Sequence, residues 1–240
     1  PKKFQNYTIR TWNDQYTPNI TMKEVLAKSD NTAMIFIAQK LGIETFKSFL
    51  QKFKIGDPIG IELQEDKKTP FPNDWGEIKL ATVSFGQGIV ANSMQVLRAI
   101  NTIANNGVMV RPMIVESVSN PTNGEIITHE PIMEGQVIAL QTAQTVTDML
   151  VYSAQGGEAQ WTASAAYPVA GKTGTSQVVT EKGYDAEKTI ASFVGFAPPE
   201  HPEFTMIVKL VEPTSSPWAA ETAAPLWHLI ARKLSLLLQK

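Results

Sequence analysis

Apolar residues recur every three or four positions through the first half of the chain and gather in short runs toward its end. That division predicts helices first and strands last. Thr21-Met22-Lys23-Glu24 sets a glutamate three positions after a threonine, a capping box that opens a short helix through about Lys28. A second helix follows the break at Ser29-Asp30-Asn31, with Met34, Ile37, Ala38 and Leu41 on one face and Gly42 at its C-terminal cap. Phe46, Phe49, Leu50 and Phe53 repeat the spacing and read as core packing. Residues 56–91 are rich in Pro, Gly and turn formers. A helix from about Ser93 to Asn106 ends at Gly107, a strand runs from Gly107 to Val118, and Asn123-Gly124 marks a turn. Glu134 to Ser153 predicts a long amphipathic helix. Strands follow at 168–180, 189–197 and 204–212, then a helix from about Glu221 to the end. The short joint Ala197-Pro198-Pro199-Glu200-His201-Pro202 requires its two strands to pair antiparallel. Ile190, Phe193, Phe204, Met206 and Val208 offer the sheet's apolar side chains, and Trp227, Ile230, Leu234 and Leu238 those of the last helix.

The class is therefore α+β. A helical region spans about 15–160 and a sheet with a terminal helix about 165–238, with no repeat or linker between them. Composition narrows the partners. A net charge of −2 gives no basic surplus for a phosphate backbone, which excludes nucleic acid as an expected partner. The absence of cysteine excludes disulfides and thiolate metal sites. No apolar run reaches the length of a membrane span, and no signal peptide opens the sequence. His129, His201 and His228 lack metal-ligand spacing and read as surface or packing residues.

Two short motifs could carry chemistry. Ser29-Asp30-Asn31 lies between two helices, and Lys172-Thr173-Gly174-Thr175 lies inside a predicted strand. Alone, the first reads as a helix cap and the second as a strand end with an exposed lysine. A different reading of the second is a phosphate loop, since Ala166 to Thr173 spells A-x-x-x-x-G-K-T. Such a loop must open a helix, whereas Gly174 to Val179 look extended.

Together and in this order the motifs resemble the second and third motifs of serine penicillin-binding proteins and class A β-lactamases. The flanking blocks sharpen the resemblance toward the monofunctional, class B transpeptidases. They are Leu26 to Ala33, Ala81 to Gly88, Gln95 to Ala99, Ile103 to Gly107, Val169 to Gln177 and Ala223-Ala224-Pro225. The resemblance implies a penicillin-binding/β-lactamase-like transpeptidase fold, an antiparallel sheet flanked by helices. It implies a peptidoglycan D,D-transpeptidase that transfers D-alanyl-D-alanine stem peptides through a serine, takes β-lactam antibiotics covalently, and uses no cofactor or metal. By the same resemblance Ser29 relays a proton, Asn31 holds the substrate amide and Lys172 supplies positive charge. Thr173 and Thr175 bind the carboxylate, Gly174 lets substrate lie against the strand, and the Thr175 N–H serves the oxyanion. Asp30 shapes the turn. Ser84-Phe85-Gly86-Gln87-Gly88 is open to two readings, a structural loop or a substrate contact.

One departure carries weight. No Ser-x-x-Lys precedes Ser29, and Ser48 and Lys52 are one residue too far apart. The expectation is that the nucleophile lies on an N-terminal segment before Pro1, which also brings further strands and a membrane anchor at the extracytoplasmic face of a bacterial membrane. The 240 residues alone are then inactive, and the apolar surface of the 168–212 strands lies open without that segment. A non-catalytic β-lactam sensor of the same fold, or a β-lactamase, remains open on the sequence alone.

Overall fold

The computed structural model describes every residue except 5, 6, 65, 165, 166, 182, 239 and 240. Ala166, the first residue of the phosphate-loop reading, lies outside the described residues. A small hairpin of β1 (Lys2–Phe4) and β2 (Tyr7–Ile9) leads into the helices. Helix α1 (Met22–Ala27) opens on the expected capping box, with Thr21 and Glu24 bonded in both directions. Helix α2 (Asn31–Leu41) buries Ile35 and Ala38, so its core stripe is narrower than predicted and Leu41 faces solvent.

Helix α3 (Ile43–Lys52) departs from the core-packing expectation. None of its residues is buried, and Phe49 is 41% exposed. The helix lies toward the outside of the molecule, where the half-buried Phe46 packs beside Trp75 of the following loop, 6.3 Å between rings. Within the turn-rich 56–91 segment lies a further helix, α4 (Glu77–Ser84), which buries Leu80, Ala81, Val83 and Ser84. Its start at Gly76 has no side-chain cap, and eight residues are too few to show a period against their neighbours.

Helix α5 (Ser93–Ala104) begins at a second capping box, formed by Asn92 and Gln95. The predicted 107–118 strand is two strands, β3 (Val108–Arg111) and β4 (Ser117–Ser119). Pro112 follows the last β3 pair and has no N–H with which to continue the ladder. β4 pairs with β5 (Ile126–Thr128) around the predicted Asn123-Gly124 turn. The predicted helix over 134–153 is also corrected: β6 (Ile132–Gln136) pairs with β3, and α6 (Leu140–Gly156) follows. Glu134 belongs to the strand because its carboxylate is drawn inward by Lys54 at 2.9 Å and Arg111 at 3.4 Å.

The C-terminal third follows the expected order. β7 (Ala170–Thr180), β8 (Gly183–Ala197) and β9 (Phe204–Val211) pair antiparallel in sequence, and α7 (Ala223–Leu238) packs on them. β8 begins earlier than predicted, since its polar start pairs with the end of β7 across an irregularity between Gln177 and Val179. The sheet is covered on both faces. On one, Phe193, Val208, Phe204 and Met206 pack against Trp227 and Ile230, and Trp227 donates its indole N–H to the Met206 carbonyl at 2.9 Å. On the other, Ala170 and Phe196 pack against Leu150 of α6 and Ile100 and Ile103 of α5. The expectation that these strands lie open is therefore corrected. The exposed apolar positions are at strand ends, such as Val179 and Val211, and on the outer face of α7, where Leu238 is 49% exposed.

Candidate active site

The site is built from two sharp local structures. Helix α1 ends in a Schellman motif: the Asp30 N–H bonds the Val25 carbonyl (3.1 Å) and the Ser29 N–H the Leu26 carbonyl (3.2 Å). Ser29 is thereby held in the left-handed region at φ 48°, a conformation that costs an ordinary residue roughly 1–2 kcal/mol. The next residue starts α2. Asp30 Oδ1 accepts from the N–H groups of Thr32 (2.8 Å) and Ala33 (3.0 Å), which fixes the turn as expected for that residue. Asn31, in the first turn of α2, donates its side-chain N–H to the Arg10 carbonyl at 3.1 Å.

The second structure is β7, an edge strand of its sheet. Lys172 leaves this strand, partly buried, and its Nζ donates to Ser29 Oγ, joining motifs 143 residues apart in sequence. The same ammonium donates to Thr173 Oγ1 at 3.0 Å and to the Thr173 carbonyl at 3.2 Å. Burial pushes the Lys172 pKa below the ordinary lysine value, and the Glu158 carboxylate works against that shift. Thr173 Oγ1 in turn donates to Glu158 Oε2 at 3.0 Å. Thr175 Oγ1 accepts from the Ala219 N–H at 3.1 Å, which leaves its own proton free. At Gly174 a side chain would meet Ser192 Oγ at 2.8 Å on the neighbouring strand.

The structure thus brings Ser29, Lys172 and Thr173 into one hydrogen-bonded group, with Asn31 two residues after Ser29 and bonded to the Arg10 carbonyl, and Thr175 further along the strand. It also supplies residues that the sequence reading missed. Glu158 closes the group from the end of α6. Trp12 and Trp218 meet at 5.6 Å between rings, linking the segment after β2 to the loop before α7, and Trp12 donates to the Lys28 carbonyl at 3.3 Å. Ser84 is different. It is buried at the end of α4 and donates to the Ala81 carbonyl at 2.7 Å, while Gly86 and Gly88 take positive φ in the turn that follows. Its hydroxyl is committed to the helix end, which supports the structural reading of that loop. The phosphate-loop reading fails on geometry, because Lys172 and Thr173 lie within β7 rather than at the start of a helix.

Comparison with known proteins identifies the family and the fold. The family profile of the penicillin binding protein transpeptidase domain matches residues 1–234. The chain belongs to that family. Among curated relatives, the peptidoglycan D,D-transpeptidase FtsI of Buchnera aphidicola is 30% identical over 91% of this chain and 38% of its own length. The penicillin-binding protein PbpB of Mycolicibacterium smegmatis is 31% identical over 97% of this chain and 37% of its own. The chain thus spans less than two fifths of these relatives. Among solved structures, penicillin binding protein 3 of Mycobacterium tuberculosis, complexed with aztreonam, superposes with a TM-score of 0.84 at 29% identity, over 91% of this chain and 52% of that one.

Proposed function

We propose that this chain is the C-terminal part of one transpeptidase domain and supplies two of the three catalytic motifs of a peptidoglycan D,D-transpeptidase. No serine in the 240 residues is followed three positions on by lysine. On this reading the nucleophile and its base lie elsewhere in the same protein, on the extracytoplasmic side of a bacterial membrane. The single observation that carries the reading is the Lys172–Ser29 contact, which couples the charge of the third motif to the hydroxyl of the second.

The roles follow from which hydrogen-bonding capacities are already used. Ser29 Oγ accepts a hydrogen bond from Lys172, so its own hydrogen is free to pass to the departing amine. Asn31 has one side-chain N–H tied to Arg10, which leaves its oxygen to accept a substrate N–H. Thr175, with Oγ1 accepting from Ala219, has its hydroxyl proton to offer a terminal carboxylate. Thr173 spends its hydroxyl on Lys172 and Glu158 and so sets the place of the ammonium. Gly174 avoids a clash with Ser192 Oγ on β8, and on this reading the free edge of β7 takes an extended peptide or an opened β-lactam, with the Thr175 N–H at the developing oxyanion.

Labelling with fluorescent penicillin tests this in the complete protein that contains the chain. Wild type should be acylated, and Lys172→Ala should lose at least about 100-fold in acylation rate, comparable to removing one electrostatic stabiliser of an acyl-transfer transition state. Ser29→Ala should bind β-lactam but fail to turn over D-alanyl-D-alanine peptide. Acylation without any peptide turnover in wild type would mark a β-lactam sensor instead. Penicillin found on a serine within these 240 residues would overturn the placement of the nucleophile.

A further inference from the structure

We propose that Glu158 is a positioning residue of this site, whose carboxylate, acting through the Thr173 hydroxyl, holds the Lys172 ammonium against Ser29. The proposal rests on the transpeptidase reading above and adds to it the group that fixes where the proton sits. The geometry is a continuous chain. Glu158 Oε2 accepts from Thr173 Oγ1 at 3.0 Å, and Thr173 Oγ1 accepts from Lys172 Nζ at 3.0 Å. Lys172 Nζ then donates to Ser29 Oγ. A threonine hydroxyl has one proton. Because Glu158 takes it, the oxygen can only present lone pairs to Lys172, and the ammonium is oriented rather than merely near. An apolar residue at 158 would leave the hydroxyl free to turn and donate elsewhere, whereas glutamine keeps an acceptor and removes only the charge.

The position of Glu158 is set by the backbone before it. Helix α6 ends at Gly156, and Gly157 is buried where the end of α6 crosses the end of α1. A side chain on Gly157 would collide with the carbonyl oxygens of Ser153 and Ala27. That close crossing places the next residue, Glu158, beside β7, where it also lines a cavity of about 190 Å³ with Trp12, Lys28 and Asp30. The other charges around the cavity are engaged separately. Lys28 donates to Thr17 Oγ1 at 3.0 Å, and Asp30 caps α2. Glu158 is also the carboxylate that opposes the downward shift of Lys172.

The test uses the complete protein containing this chain, with two readouts. Penicillin acylation is followed against pH, and Lys172 is titrated by NMR of ¹³C-labelled lysine, its resonance assigned with Lys172→Arg. In Glu158→Gln the ammonium loses its supporting charge. The alkaline limb of the acylation profile and the Lys172 titration should both move down by about one pH unit. Glu158→Asp should recover most of the shift. If Glu158→Gln does not fold, Thr173→Val cuts the same chain at its middle, removing the oxygen that accepts from the ammonium, and should also move the Lys172 titration down. An unmoved Lys172 titration in the folded variant overturns the proposal. Failure of the parent reading looks different: wild type would not be labelled by penicillin at all, while the Glu158-dependent Lys172 titration would persist.

Discussion

Ser29 stands at the position just past a helix end that is most often glycine, and it takes the left-handed conformation that glycine adopts without penalty. The hydroxyl is kept at a conformational cost because Lys172 needs a partner there. Such strain at a polar residue points to function once it is observed. It predicts a trade of stability against activity. Ser29→Gly should be more stable than Ser29→Ala by about 1 kcal/mol, since both lose the hydroxyl and only alanine retains the strain. Urea denaturation of the two variants measures that difference, and equal stabilities would show that the turn is unstrained. Both should be equally poor in peptide turnover. At this scale the sequence pointed to the two motifs whose residues Ser29 and Lys172 meet in the structure, because the motifs are short, local and ordered. Glu158, Trp12 and Trp218 were not legible. Their roles come from where α6, the segment after β2 and the loop before α7 meet, and no local pattern encodes that meeting.

Elements were read best where a period ran for many residues or a cap announced it. The capping box read at Thr21 sits at a helix start, and the three C-terminal strands pair in the predicted order. The failures have physical causes. Around 134–153, helical spacing in α6 ran back over β6, whose pairing with distant β3 is a tertiary fact. The block Gln95 to Ala99, which supported the family resemblance, proves to be a scaffold. The Gln95 amide donates to the Asp57 carbonyl at 2.7 Å, and the Arg98 guanidinium donates to the Lys54 carbonyl at 2.8 Å and to Pro58 at 3.2 Å. These buried side chains satisfy the backbone of an irregular loop that no helix or strand serves. The sheet has its own tight point, the cross-strand pair Gly171–Gly195 beside the third motif. A side chain at 171 would lie 2.5 Å from the Phe193 ring, which is buried against Trp227. Gly171→Ala should therefore cost about 2 kcal/mol, the usual order for overpacking a core. Because Lys172 is the next residue, β-lactam acylation should fall with it. Thermal unfolding and acylation measured on the same sample check the pair, and unchanged values for both would show that Phe193 can move aside.

At the scale of the whole molecule, the sheet is a middle layer with α7 on one face and α5 and α6 on the other, so the site rests on a strand whose apolar neighbours are buried from both sides. His228 lies inside this packing, 5% exposed, with its ring 5.4 Å from the rings of both Phe193 and Trp227. Burial, aided by the nearby Arg232 charge, pushes its pKa down to about 4 from an ordinary 6.5. The sign of the stability effect follows directly. Above the ordinary value the imidazole is neutral in both states. As pH falls from 6.5 toward 4, the unfolded chain binds a proton that the folded one refuses, and stability is lost through that window. The displacement amounts to about 3 kcal/mol, at about 1.4 kcal/mol per pH unit. His228→Leu removes the titration while keeping an apolar side chain between the sheet and α7. Between near-neutral pH and pH 4, wild type should lose about 3 kcal/mol more unfolding free energy than His228→Leu, measured by urea denaturation at several pH values. Parallel losses in the two proteins would mean that the imidazole is hydrated in the folded state and that the seam between the sheet and α7 admits water.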